Sequence, residues 1–200
     1  IAGETHRLPD PFLVMATQNP IELEGTYPLP EAQVDRFMMK VLVDYPSDEE
    51  EFVIVQRVTG DPVAVSPVAS TTQLAELQDE CRKVYVDPSL IAYAVKLVGA
   101  TRDPARHGLP ELARYLNFGA SPRATIGLIE ASRAMAMLRG RNYVLPDDLG
   151  DLVPDVLRHR LALSYEALAD ELTADAIIER IVAKVARPQP PMGQPGSAHA

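Results

Sequence analysis

The sequence has one cysteine, Cys81, among its 200 residues. That excludes an internal disulfide and suits a reducing cytoplasm. Its four histidines, His6, His107, His159 and His199, are far apart and show no metal-ligand spacing, so no metal site is expected. There is no run of 18 apolar residues, and hence no expected membrane span. Basic residues are the minority: 19 Lys and Arg against 28 Asp and Glu give a net charge of −9. A general nucleic-acid binder needs the opposite balance to neutralise phosphates, so nucleic acid is not an expected partner. No Gly-x-x-x-x-Gly-Lys-[Ser/Thr] loop cradles phosphates, and no Ser/His/Asp or Cys/His arrangement is present. A self-contained active site is therefore not expected. The chain opens on Ile1-Ala2-Gly3 with no signal-peptide pattern, so a natural start upstream of Ile1 is expected.

What is present is an ordinary globular composition, 46% hydrophobic and 24% charged. The chain is organised around Phe12 to Phe37. Phe12–Ala16 is a short apolar run bounded by turn residues, as in a strand buried on both faces of a parallel sheet. Met38–Val43 is the other good strand candidate. Two strands do not make a stable sheet, so the rest of the sheet is expected to be missing from this chain. Glu4–Leu8 fits one strand of a hairpin. Between the two strands, Pro30 starts a short helix, Glu31–Arg36.

Helical signals dominate further on. Ser47 and Glu50 form a capping box that opens a helix to Thr59, with Gly60 as its stop. Leu74, Leu77, Cys81 and Val84 share one expected core-facing helix face. Asp87-Pro88 starts a helix that Gly99 closes. Ser121-Pro122 starts another, with Leu128, Ala131, Met135 and Leu138 inward and Gly140 at its end. Pro146 opens a helix with Leu149, Leu152, Val153, Val156 and Leu157 inward and Arg158-His159-Arg160 at its C-terminal end, where cations suit the dipole and His159 is expected to be solvated. Thr173 caps a last helix. The Pro- and Gly-rich tail, 188–200, cannot bury enough surface to order itself.

Three polar residues stand out. Asn19 follows the first strand, where its amide could position a water beside a phosphate or merely cap a turn before Pro20. Arg36 ends the short helix. Its planar fork suits phosphate oxygens, yet an ion pair with Asp35 or Glu31 reads as well. Arg123 lies in a helix's first turn, where a cation is unfavourable by ~0.3–1 kcal/mol. A nearby anion would offset that, either a phosphate or a carboxylate of a neighbouring helix.

Taken together, Ala16-Thr17-Gln18-Asn19-Pro20, the stretch Glu24 to Phe37, Gly119-Ala120-Ser121-Pro122-Arg123-Ala124, Arg141 to Leu149 and Val153 to Arg160 closely resemble the MoxR family of AAA+ ATPases. The resemblance runs in order over most of residues 3–166. It implies a mainly α chain: a truncated α/β AAA+ core holding the last strands and the arginine-finger helix, then an all-helical lid. The implied divisions are 1–45 for the core, 46–104 for connecting helices, 105–187 for the lid and 188–200 for the tail. Asn19 matches the sensor-1 position, and Arg36 the arginine finger that reaches a neighbouring subunit's nucleotide. Arg123 matches the sensor-2 arginine, in cis or in trans. Asn19 and Arg123 would thus both bind the nucleotide. The cofactors implied are ATP and Mg²⁺, whose Walker A and Walker B ligands are expected upstream of Ile1. The implied activity is ATP hydrolysis coupled to chaperone-like maturation or remodelling of client proteins, in a cytoplasmic ring of six subunits partnered by von Willebrand factor A domain proteins. The chain by itself is expected to be inactive. A non-catalytic helical adaptor for a partner protein is the competing reading.

Overall fold

The computed structural model describes residues 3–18, 29–62 and 64–188. The described residues fall into two compact units: 3–18 with 42–62 and 64–80, and 29–41 with 81–188. In the first unit the one complete regular element among the described residues is α2, Asp48–Thr59. It follows the short α1, Glu31–Val34, which belongs to the second unit. Ser47 caps α2 as its sequence demands. The Ser47 N–H donates to Glu50 Oε2 at 2.9 Å, and Glu50 N–H donates back to Ser47 Oγ at 3.3 Å. The apolar side chains of α2 nonetheless face solvent, Phe52 and Val58 among them.

The expected strands are not strands. Phe12–Ala16 and Met38–Val43 run without a ladder, as does Glu4–Leu8. Phe12, Leu13, Val14, Met15, Val41, Leu42 and Val43 are all exposed. The physical reason is the one the pattern carried: a strand needs a neighbour, and none lies among the described residues. Helix α3, Thr71–Lys83, forms where expected, but Leu74 and Leu77 are exposed and Cys81 is only partly buried.

The second unit holds the core. Helices α4 (Pro88–Arg102), α5 (Pro122–Leu138) and α9 (Ala174–Lys184) each begin at a side-chain cap, from Asp87, Ser121 and Thr173. Gly99 does not close α4. The helix runs three residues on and ends where Asp103 donates its N–H to the Gly99 carbonyl, just before Pro104. The stop of α5 is as expected: Gly140 takes φ +72° and Arg141 N–H reaches the Ala136 carbonyl at 2.9 Å, a Schellman closure. Its buried face is Ala124, Gly127, Leu128, Ala131, Ser132 and Ala136, while Leu138 points to solvent. The single helix expected from Pro146 is two, α6 (Pro146–Gly150) and α7 (Val153–Leu157), because Pro154 restarts the chain. A short helix α8, Tyr165–Ala169, precedes α9. Leu97, Leu112, Leu128, Leu149, Leu157, Ile177, Ile178 and Ile181 fill the centre without solvent contact.

A two-stranded antiparallel ribbon, β1 (Leu116–Phe118) against β2 (Ala162–Leu163), escaped the sequence reading, since strands this short carry no period. It leads into Gly119, whose backbone lies against α4. A Cβ there would come within 2.3 Å of the Thr101 carbonyl oxygen. The contact is fixed by the next residue: Ala120 N–H donates to Thr101 Oγ1 at 2.9 Å, and that hydroxyl donates to the Val98 carbonyl at 2.7 Å. Gly119→Ala must push β1 or α5 away from α4. We expect it to cost about 1–3 kcal/mol or more, and a urea melt with an unchanged midpoint would refute this close-approach account.

Candidate functional site

The short helix α1 ends at Val34, short of the expected Arg36, with Asp35 as its C-cap and Arg36 next in the chain. The side chain of Arg36 is exposed and makes no ion pair or hydrogen bond among the described residues. The ion pairs considered for it with Asp35 or Glu31 are not formed. Asp35 instead turns the other way, toward the start of α5. Ser121 Oγ donates to both of its carboxylate oxygens, at 3.0 and 2.9 Å. The same oxygen accepts the Arg123 N–H at 3.2 Å, so the cap of α5 is also the link to Asp35. Arg123 Nε lies 3.8 Å from Asp35 Oδ2, with its side chain 58% exposed. A carboxylate thus supplies the anion that a first-turn arginine calls for.

The third partner of Asp35 is Arg160, whose side chain is only 2% exposed. Its Nε donates to Asp35 Oδ1 at 3.0 Å. Its two terminal nitrogens take the carbonyls of Asp35 at 3.1 Å, Phe37 at 2.5 Å and Met38 at 3.0 Å, and also that of Val156. Burial works against the guanidinium charge and lowers its pKa, and the Asp35 carboxylate opposes that. His159 Nε2 sits 3.1 Å from the Phe37 carbonyl. A carbonyl only accepts, so Nε2 carries the proton and Nδ1, which has no partner among the described residues, is bare. Burial lowers the His159 pKa and favours this neutral form. Arg158 completes the set. It donates to the Lys40 carbonyl at 2.5 Å and to Asp175 at 3.0 Å, while Lys40 N–H donates to the Asp155 carbonyl at 2.8 Å.

His159 is therefore not the solvated helix-end group expected of it. The side chains of Arg158, His159 and Arg160 all grip the backbone from Asp35 to Lys40. The sequence contained a signal: Arg160 follows buried Val156 by four and Leu157 by three, which puts it on the inward face. Asp35 had no such signal, because its partners lie more than 80 positions away.

Among the predicted site residues, Arg123 is thus brought to the carboxylate of Asp35, while Arg36, next to Asp35 in the chain, is exposed and does not pair with it among the described residues. Asn19 lies outside the described residues. Glu31, Asp35, Ser121, His159 and Arg160 line a shallow cleft of about 200 Å³. A larger cavity of about 430 Å³, between α6, α7 and α9, holds none of the predicted site residues. No described helix is long and apolar enough to cross a membrane.

Comparison with known proteins agrees with this picture. The family described as the AAA lid domain matches residues 112–181. The family described as ATPase family associated with various cellular activities (AAA) matches residues 1–39. Chaperone MoxR1 of Mycobacterium tuberculosis is 50% identical over 189 residues, which are 94% of this chain and 50% of that protein. The protein YeaC of Bacillus subtilis is 42% identical over 190 residues, 94% of this chain and 57% of that one. A crystal structure of a provisionally named ATPase from Cytophaga hutchinsonii superimposes with a TM-score of 0.89 at 45% identity, over 94% of this chain and 58% of that one. The chain spans about half the length of the relatives it matches. Fold and matches together define part of an AAA-type ATPase core joined to its lid. The chain belongs to the MoxR family of AAA+ ATPases.

Proposed function

We propose that this chain supplies the sensing and arginine-finger part of a MoxR-type ATPase that couples ATP hydrolysis to chaperone-like maturation or remodelling of client proteins. The observation that carries the reading is Arg36: an exposed guanidinium, unpaired among the described residues, on a tightly held backbone. A guanidinium with no partner among the described residues is available to a phosphate on another subunit. In this reading Arg36 stabilises charge at a neighbour's nucleotide, Arg123 senses nucleotide through the lid, and Asn19 orients water at the subunit's own site. The functional divisions are 1–45, 46–104 and 105–187, in line with the matched core and lid segments.

The described residues fit the phosphates of ATP in part. They offer two guanidinium groups, of Arg36 and Arg123, but the cleft beside Asp35 is small, and the two carboxylates of Glu31 and Asp35 are among its lining groups. For Mg²⁺ they offer no cluster of carboxylates or imidazoles. Nucleotide and metal would be held by residues beyond those described, in a ring of subunits, with six as the expected number. Such a ring would sit in the cytoplasm with von Willebrand factor A domain proteins as partners.

The corresponding test compares two proteins. The full-length protein should hydrolyse ATP, whereas purified residues 1–200 should neither bind it tightly nor turn it over. Measurable turnover by residues 1–200 alone would overturn the second expectation, and an inactive full-length protein the first. The adaptor reading draws on one observation, the exposed apolar residues of α2. It would gain if the full-length protein proved inactive yet bound a partner through that helix.

A further inference from the structure

We propose that Asp35 and Arg160 are positioning residues for Arg36: they set the direction in which it projects, and they tie that direction to the lid arginine, Arg123. The proposal rests on the reading of Arg36 as a finger. Its own ground is geometric. Arg36 is a long exposed side chain with no partner among the described residues, so among these its backbone alone aims it. Arg160 holds that backbone on both sides, through the carbonyl of Asp35 before it and those of Phe37 and Met38 after it. Its guanidinium is itself fixed by the Asp35 carboxylate at 3.0 Å and by the Val156 carbonyl. All of this lies in a side chain almost without solvent contact, where such bonds are strongest and least forgiving of a lost partner.

Asp35 does a second thing. Its other oxygen lies 3.8 Å from Arg123 Nε, and both oxygens accept from Ser121, the cap of the helix that carries Arg123. One carboxylate therefore fixes the base of the finger and neutralises the sensor. When Arg123 moves toward a phosphate it leaves Asp35 with Arg160 and Ser121 alone. The aim of Arg36 then depends on where Arg123 is. This gives a physical route by which nucleotide sensed through the lid alters the finger presented to the neighbouring subunit.

The test uses the full-length protein. Asp35→Asn keeps the shape of the side chain and removes its charge. Arg160→Lys keeps the charge and removes the fork, so the two variants probe the same ion pair from opposite sides. Each should lower kcat about ten- to a hundredfold with little change in KM, the scale expected when a catalytic group is misplaced rather than removed. Amide exchange of residues 36–40 in the nucleotide-free protein should quicken in both variants. The decisive measurement is the double variant. If Asp35 acts through Arg36, Asp35→Asn added to Arg36→Ala should slow turnover no further than Arg36→Ala alone. Additive losses, or wild-type kcat in both single variants while Arg36→Ala is crippled, would overturn the positioning role and leave the finger assignment standing. Wild-type turnover in Arg36→Ala would overturn both.

Discussion

Arg36→Ala in the full-length protein is expected to cut ATP turnover by about 10³-fold or more and to leave nucleotide affinity nearly unchanged. An arginine finger acts on charge that develops in the transition state, so its removal falls on kcat rather than on binding. The substitution should also be silent for folding. Arg36 is exposed and pairs with nothing among the described residues, so a stability change within about 0.5 kcal/mol is expected. Such silence makes the experiment clean, because lost turnover cannot be blamed on a damaged fold. Arg36→Lys sharpens it. Lysine keeps the charge but not the two-pronged donor, so turnover should recover only in part. ATP turnover at the wild-type rate in Arg36→Ala would rule the finger out. A loss of nucleotide binding with an unchanged kcat would instead place Arg36 in a ground-state contact.

Much of the fold could be read from local chemistry. Ser47 with Glu50, Asp87 with Pro88, Ser121 with Pro122, and Thr173 each begin a helix where their side chains can satisfy free N–H groups. Gly140 ends one where a positive φ is required. These features are legible because each is settled within four residues. Gly99 misleads because glycine also serves close packing: here the His107 ring lies within 3.2 Å of where a Cβ would stand, and the helix runs on. The ribbon of β1 and β2 was invisible because its two strands hold five residues between them. The site divides the same way. Arg36 and Arg123 were visible as charges in unusual local places, with a family resemblance to give them roles. Asp35 and Arg160 were not, since what makes them matter is a bond across 125 positions. Periodicity shows that Arg160 faces inward, but no local rule names what it meets there.

The largest effect on stability is expected at Asp148. Its carboxylate is wholly buried in the first turn of α6. It accepts from Arg141 at 2.7 and 2.5 Å, from Arg139 at 2.8 Å and from the Leu145 N–H at 2.7 Å. Asp148→Ala would strand these donors. Arg139 can turn to solvent and keep Asp151, but Arg141 is largely enclosed and the Leu145 N–H cannot move. Removing one partner of a buried pair costs about 3–5 kcal/mol. Against a total stability of roughly 5–15 kcal/mol, that leaves residues 1–200 close to unfolding at 37 °C. The same carboxylate sets an acid dependence. Burial alone would raise its pKa, yet the hydrogen bonds from Arg141, Leu145 N–H and Arg139 outweigh burial and hold it below the ordinary aspartate value. A folded pKa below the unfolded one means that the unfolded chain binds the proton first. The stabilisation is therefore complete above about pH 4 and fades as pH falls through the folded pKa. Asp148→Asn keeps the shape and cannot titrate. It should start less stable at neutral pH and lose less on acidification, so the gap to the native protein should narrow between urea melts at about pH 7 and pH 3. A gap that stays constant with pH would show that Asp148 acts through shape and packing, not through its charge.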